Sequence, residues 1–300
     1  MDDVGWLAWS IASAVMLGFY DLAKKASVRD NAVPPVLFLN VFTGGSVYGV
    51  ALLLNDAGIV ELEVLSSAFA ITWVGHLLLA GKAILVGSSW VLAFHALKHL
   101  PLSIAAPIRS TSPVWTVGIA VLIWSERPST IQWLGVVLVV LSFMAFAKVG
   151  NREGIEFRRD RWVFGMIGAT LLGAASSIYD KYLIQSVGLA PVTVQAWFSI
   201  YLIPVMLPQA MAWLRRDRDR IPFEFRWAIP AIAILLLFAD YCYFSALDSE
   251  NALVALISPV RRTSVAIPFA YGLVFLSERN WKAKTLCLVT MLVGVWFLSR

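Results

Sequence analysis

The sequence predicts an all-α integral membrane protein, with ten transmembrane helices arranged as two inverted five-helix repeats. Three observations carry this expectation. The composition is apolar, with 59% hydrophobic and 14% charged residues among 300 and a mean hydropathy of +0.76, whereas soluble domains carry about 25% charged residues. Apolar runs of spanning length follow one another with short loops between them. The second half of the chain also repeats residues of the first half in the same order.

Ten runs bounded by charged or turn-forming residues lie at about 4–22, 35–54, 69–97, 102–124, 131–148, 162–184, 192–213, 227–247, 252–276 and 281–299. A hydrocarbon core of about 30 Å needs roughly 20 apolar residues of helix, so the chain has room for these spans and no separate soluble domain. A helix satisfies its backbone groups internally, which an open strand in lipid cannot do. The runs are also too long and too continuously apolar for barrel strands. The longest loop is basic and divides the chain into a first repeat at 1–149, a linker at 150–161 and a second repeat at 162–300. Trp6, Trp133, Trp162, Trp213, Trp227 and Trp281 mark predicted span ends, where amphipathic rings anchor at the interface. Asp2 and Asp3 stand where a signal peptide would be positive, so the first run reads as a retained span.

The formal charge of +5 reads as orientation and argues against a nucleic-acid surface, because its basic residues sit in short clusters between apolar runs. The odd loops, joining spans 1–2, 3–4, 5–6, 7–8 and 9–10, hold seventeen Lys and Arg residues, among them Lys24, Lys25, Lys98, Arg226 and Lys284. The even loops and the termini hold only Arg127 and Arg300. The positive-inside rule then puts the odd loops in the cytoplasm and both termini outside, in a cell membrane of the bacterial inner type. Cys242 and Cys287 lie within apolar runs and give neither a disulfide framework nor a metal-ligand spacing.

The repeat is specific. Phe19-Tyr20-Asp21 closes span 1 and Ile178-Tyr179-Asp180 closes span 6, while Ser10, Ala14 and Gly18 fall opposite Ala169, Gly173 and Ser177. Pro107-Ile108-Arg109-Ser110-Thr111-Ser112 matches Pro259-Val260-Arg261-Arg262-Thr263-Ser264. Thirteen residues after each final serine comes Ser-Glu-Arg, at Ser125-Glu126-Arg127 and Ser277-Glu278-Arg279. Ala93-Phe94-His95-Ala96-Leu97 resembles Tyr243-Phe244-Ser245-Ala246-Leu247. The offsets drift between 150 and 159. An odd number of spans per copy makes the second copy enter the membrane from the opposite side, the inverted architecture common among secondary transporters.

The 5+5 arrangement, with Pro-x-Arg-x-Thr-Ser followed by Ser-Glu-Arg, resembles the drug/metabolite transporter superfamily, specifically its ten-helix EamA-type permeases. The resemblance covers the whole chain. It implies a central cavity between the halves, with spans 5 and 10 supporting the fold or an interface, and export of amino acids or other metabolites. It also implies cytoplasmic termini, from which the loop charges here depart.

Ionisable groups inside a bilayer are costly and mark function by default. Arg109 and Arg261 lie 7 to 9 residues into spans 4 and 9, about 10–14 Å down the helix, each after a proline that loosens the turn. They would suit a carboxylate or phosphate bound in bidentate fashion. The competing role is to tie helices together through Asp21, Asp180 or loop carbonyls, with Thr111 and Thr263 satisfying backbone. Lys82 in span 3 has no equivalent in span 8, which suits function, and Asp240 is either its partner or, with Asp180, a proton-coupling carboxylate. Tyr20, Tyr179 and Trp90 complete the expected substrate-binding set, and Trp115 and Gln195 are further wall candidates. His76 is the remaining ionisable residue of span 3, and His95 and His99 read as solvated or capping residues. Gly45-x-x-x-Gly49 and Gly165-x-x-x-Ala169-x-x-x-Gly173 favour close helix approach in lipid.

No catalytic or nucleotide-binding signature is present. The expected activity is therefore secondary transport of a small carboxylate- or phosphate-bearing metabolite by alternating access. It needs no enzyme activity, cofactor, metal or nucleic acid. The expected partners are the solute and the lipid bilayer, and the expected state is a monomer or homodimer. The main alternative is a flippase for a lipid-linked polar head group. A receptor or an intramembrane enzyme fits less well, since neither needs paired buried charges in both repeats.

Overall fold

The computed structural model describes residues 5–59, 65, 67–112, 114–116, 118–119, 129–152, 159–247, 257, 260–261, 263–275 and 280–298. Among these, ten α-helices have described bounds and no strand occurs. They are α1 (Gly5–Val28), α2 (Val33–Asp56), α3 (Trp73–His99), α4 (Leu102–Ser110), α5 (Thr130–Arg152), α6 (Arg161–Lys181), α7 (Pro191–Arg216), α8 (Ala228–Leu247), α9 (Ala266–Phe275) and α10 (Trp281–Leu298). By length and apolarity, α1, α2, α3, α6, α7 and α8 can each cross a membrane. Parts of the predicted runs at 102–124 and 252–276, and both Ser-Glu-Arg triplets, lie outside the described residues.

Local chemistry sets the helix ends. Asp30 takes a φ of +52°, a conformation that Asp tolerates better than most residues, and the chain reverses there between α1 and α2. Asn31 then accepts from the Ala32 amide at 2.9 Å. Prolines open α2 and α7, where a missing N–H costs nothing. Thr72 caps α3 by accepting from the Gly75 amide, and Asp160 caps α6 by accepting from Trp162. A π-helical turn, Tyr182–Ser186, prolongs α6.

Helices of the first half pack chiefly on helices of the second. α1 lies along α8, α3 along α6, α2 along α7 and α5 along α10, with α4 against α9. Gly45 makes the α2–α7 approach possible, since a β-carbon there would meet Ile203 at 2.6 Å and the Ser199 carbonyl at 2.8 Å. Gly294 does the same for α10 against Leu138 and Val139 of α5, at 2.9 Å each. Gly49 meets nothing within 4 Å, so only the first glycine of that pair serves packing. Large apolar side chains are exposed around the outside, including Leu53, Trp133, Trp227, Val274 and Trp281, as expected of a surface that faces lipid.

Several basic residues counted as loop charges instead tie the helices together at one end of the bundle. Lys25 donates to the Leu97 and Leu100 carbonyls, both at 2.7 Å. Lys98 donates to the Asn31 carbonyl, and Arg226 donates to those of Ala26 and Arg29. These contacts satisfy carbonyls that helix C-termini leave open and gather the loops after α1, after α3 and before α8. Lys24 is not a loop residue at all. It lies in α1 and is 2% exposed.

Candidate functional site

A cavity of about 160 Å³ lies between the halves, walled by residues from α1, α3, α4, α6, α7 and α8 and by Arg261. It is polar because α1, α3, α4, α6 and α8 each contribute a charged residue that hydrophobic packing cannot bury alone. Lys24, Lys82, Arg109 and Arg261 line it, together with Asp180 and Asp240.

The charges are held in pairs. Arg109 donates to Asp21, whose side chain is largely buried, and Lys24 approaches the same carboxylate oxygen at 3.7 Å. Lys82 is ion-paired with Asp180. Arg261 donates from Nη2 to Asp240 at 2.9 Å, and its guanidinium lies 4.0 Å from the centre of the Tyr243 ring. Asp240 is thus the partner of Arg261 and not of Lys82, and of the carboxylates expected to tie the two arginines Asp21 holds Arg109 while Asp180 holds Lys82 instead. α3 packs along α6, which puts Lys82 rather than Arg261 against Asp180.

Helix geometry separates these pairs into two layers. Lys24 lies 4.8 Å from the Phe94 ring, and Phe94 is twelve residues beyond Lys82 on α3, about 18 Å along the helix. Asp21, Lys24 and Arg109 form one layer, and Lys82, Asp180, Asp240 and Arg261 form the other. Tyr20, 3% exposed, lies between them, within electrostatic reach of Arg109 and Asp21 and of Asp240 and Arg261.

Of the expected residues, Arg109, Arg261, Lys82, Asp180, Asp240, Tyr20 and Trp90 converge on this cavity. Tyr179 does not line it. Its hydroxyl donates to the Leu78 carbonyl at 3.1 Å and its ring stacks on Tyr182. Gln195 is buried against α8, where its Nε2 donates to the Leu237 carbonyl. Trp115 bonds Thr111 one turn back. Among the histidines, His76 accepts or donates at Nδ1 with the Tyr201 hydroxyl, His95 bonds Val91 one turn back, and His99 stacks on Trp162. Thr111 donates to the Ile108 carbonyl and Thr263 to that of Val260, each at 2.7 Å, so the two threonines do satisfy backbone as expected. Lys24 escaped the sequence reading because it follows the apolar run and adjoins Lys25. The signal was its i,i+3 spacing from Asp21 and i,i+4 spacing from Tyr20, which share a helix face.

Residues 4–147 match the EamA-like transporter family. This EamA-like domain spans just under half of the chain, and six of the described helices are long and apolar enough to cross a bilayer. The whole chain also shares its fold with a solved crystal structure that is 18% identical. The likeness covers 96% of this chain and 94% of that one, with a TM-score of 0.61. The EamA-like domain supplies Tyr20, Asp21, Lys24, Lys82, Trp90 and Arg109 to the cavity and its ion pairs, and the rest of the chain supplies Asp180, Asp240 and Arg261.

Proposed function

We propose that the protein is a secondary transporter moving a small carboxylate- or phosphate-bearing metabolite across a cell membrane by alternating access. Residues 1–149 and 162–300 act in this reading as two inverted repeats of five spans, joined by the linker at 150–161. The observation that carries it is the central cavity into which both halves project cations, Lys24, Lys82 and Arg109 from one and Arg261 from the other.

Further support comes from the packing. Exchanging each helix for the one five places on turns α1–α8 into α6–α3 and α2–α8 into α7–α3, and both members of each pair are in contact. The same exchange leaves α2–α7, α4–α9 and α5–α10 unchanged, as a twofold relation between repeats requires. The bonds of Thr111 and Thr263 are equivalent in the same sense.

Arg109 and Arg261 would contact the solute, with Tyr20 and Trp90 forming the wall between them. Asp240 and Asp180 would exchange protons when their basic partners turn to the solute. Two ion pairs stay within a half, but Lys82–Asp180 joins α3 of the first to α6 of the second. A motion that parts α3 from α6 would break that pair, whereas the others stay within one repeat.

Uptake of labelled carboxylates, phosphate esters and neutral solutes into proteoliposomes tests this reading. An anionic solute should enter faster than into protein-free vesicles, and Arg109→Gln or Arg261→Gln should lower the rate by about tenfold or more while folded yield persists, as loss of a charged contact implies. Movement of none of these solutes would contradict it, and movement of a phospholipid alone would favour a flippase.

A further inference from the structure

The two charged layers of the cavity are not equally balanced. Lys82 has Asp180 and Arg261 has Asp240. In the other layer, Arg109 and Lys24 both address Oδ1 of Asp21. Among the described residues, four cations thus stand against three carboxylates, and the excess positive charge lies at Lys24 and Arg109. Lys24 is almost fully buried, with its ammonium 4.7 Å from the Tyr20 ring and 4.8 Å from the Phe94 ring. Buried cations are ordinarily matched by counter-charge, since an uncompensated one is strongly unfavourable. Two ring faces and a shared carboxylate compensate it only in part.

We infer that Lys24 and Arg109 form the subsite for the anionic group of the transported solute. The inference rests on the transporter reading for what the anion belongs to. Asp21 engages Nη1 of the guanidinium, and among the described residues its other donors are open to a second oxygen acceptor. The ammonium of Lys24 brings further donors to the same place. The opposite layer is neutral as a unit and faces the remainder of the solute. Carboxylate and phosphate share the required chemistry, so both are tested.

The test is thermal stability of the purified full-length protein with sodium benzoate, with its neutral isostere benzamide, and with sodium phosphate against sodium chloride of equal ionic strength. Benzoate or phosphate should raise the unfolding temperature in a saturable way, and benzamide should not, because a ligand of the folded state stabilises it. Lys24→Met should weaken the apparent affinity about tenfold or more, the scale of one lost charged contact. Lys24→Arg, which keeps the charge, should retain it. If Lys24→Met does not yield folded protein, Lys24→Gln serves the same comparison. Arg216→Gln removes an exposed cation at the end of α7, outside the cavity, and should still respond.

The inference is overturned if neither anion stabilises the wild type, if Lys24→Met responds like the wild type, or if Arg216→Gln loses the response as Lys24→Met does. Solute flux measured in parallel separates the two readings. Flux with an anion response insensitive to Lys24 removes the subsite and leaves the transporter. A Lys24-dependent response without flux of any solute keeps the subsite and removes the transporter.

Discussion

Lys82 and Asp180 show at the scale of single residues what the cavity demands of its charges. Their side chains are 3% and 9% exposed, and removing one partner of such a pair typically costs about 3–5 kcal/mol because the other remains buried and unpaired. Lys82→Met and Asp180→Asn should each lower the unfolding temperature sharply in detergent. The double variant should recover most of the loss, giving a coupling energy of at least about 3 kcal/mol in a double-mutant cycle. Additive losses would mean the two side chains do not depend on one another. The sequence made Lys82, Arg109, Asp180, Asp240 and Arg261 conspicuous simply because charge in an apolar run is conspicuous. It did not give their pairing, which depends on which helices lie side by side and in what register. Lys24 was hidden for the opposite reason, since at the end of an apolar run a buried lysine and a loop lysine read alike.

Among the elements, the apolar runs located most helices to within a few residues, because span length and hydropathy are local properties of the chain. α1 was the exception. Its helix continues to Val28, beyond the apolar run, since Lys24 faces the cavity and Asp21 pairs with Arg109 rather than lying in a loop. The glycine steps were legible as motifs but not as contacts. Gly45 lies hard against α7 and Gly49 against nothing. Gly45→Ala should therefore destabilise by about 1–3 kcal/mol through overpacking, despite the better helix propensity of alanine. Gly49→Ala should instead be neutral or stabilising by up to about 1 kcal/mol. Thermal unfolding of the two variants side by side checks this, and equal effects would contradict the close approach of α2 and α7.

The helix contacts of the whole molecule explain why one half cannot form the site. α1 finds its main neighbour in α8 and α3 finds its own in α6, so the EamA-like domain buries its apolar faces on the second half rather than on itself. The cavity follows from that exchange, because residues far apart in sequence, such as Lys82 and Asp180, meet only across it. In the alternating-access reading the site would open to one side at a time, whereas a pore would open it to both. Counterflow in proteoliposomes distinguishes these cases most directly. Vesicles loaded with an excess of an unlabelled anionic solute and diluted into a trace of the labelled form should accumulate label transiently above its equilibrium level, and Lys82→Met/Asp180→Asn should alter the rate of that exchange. Monotonic equilibration without overshoot, or no entry of label, would contradict alternating access around the charged cavity.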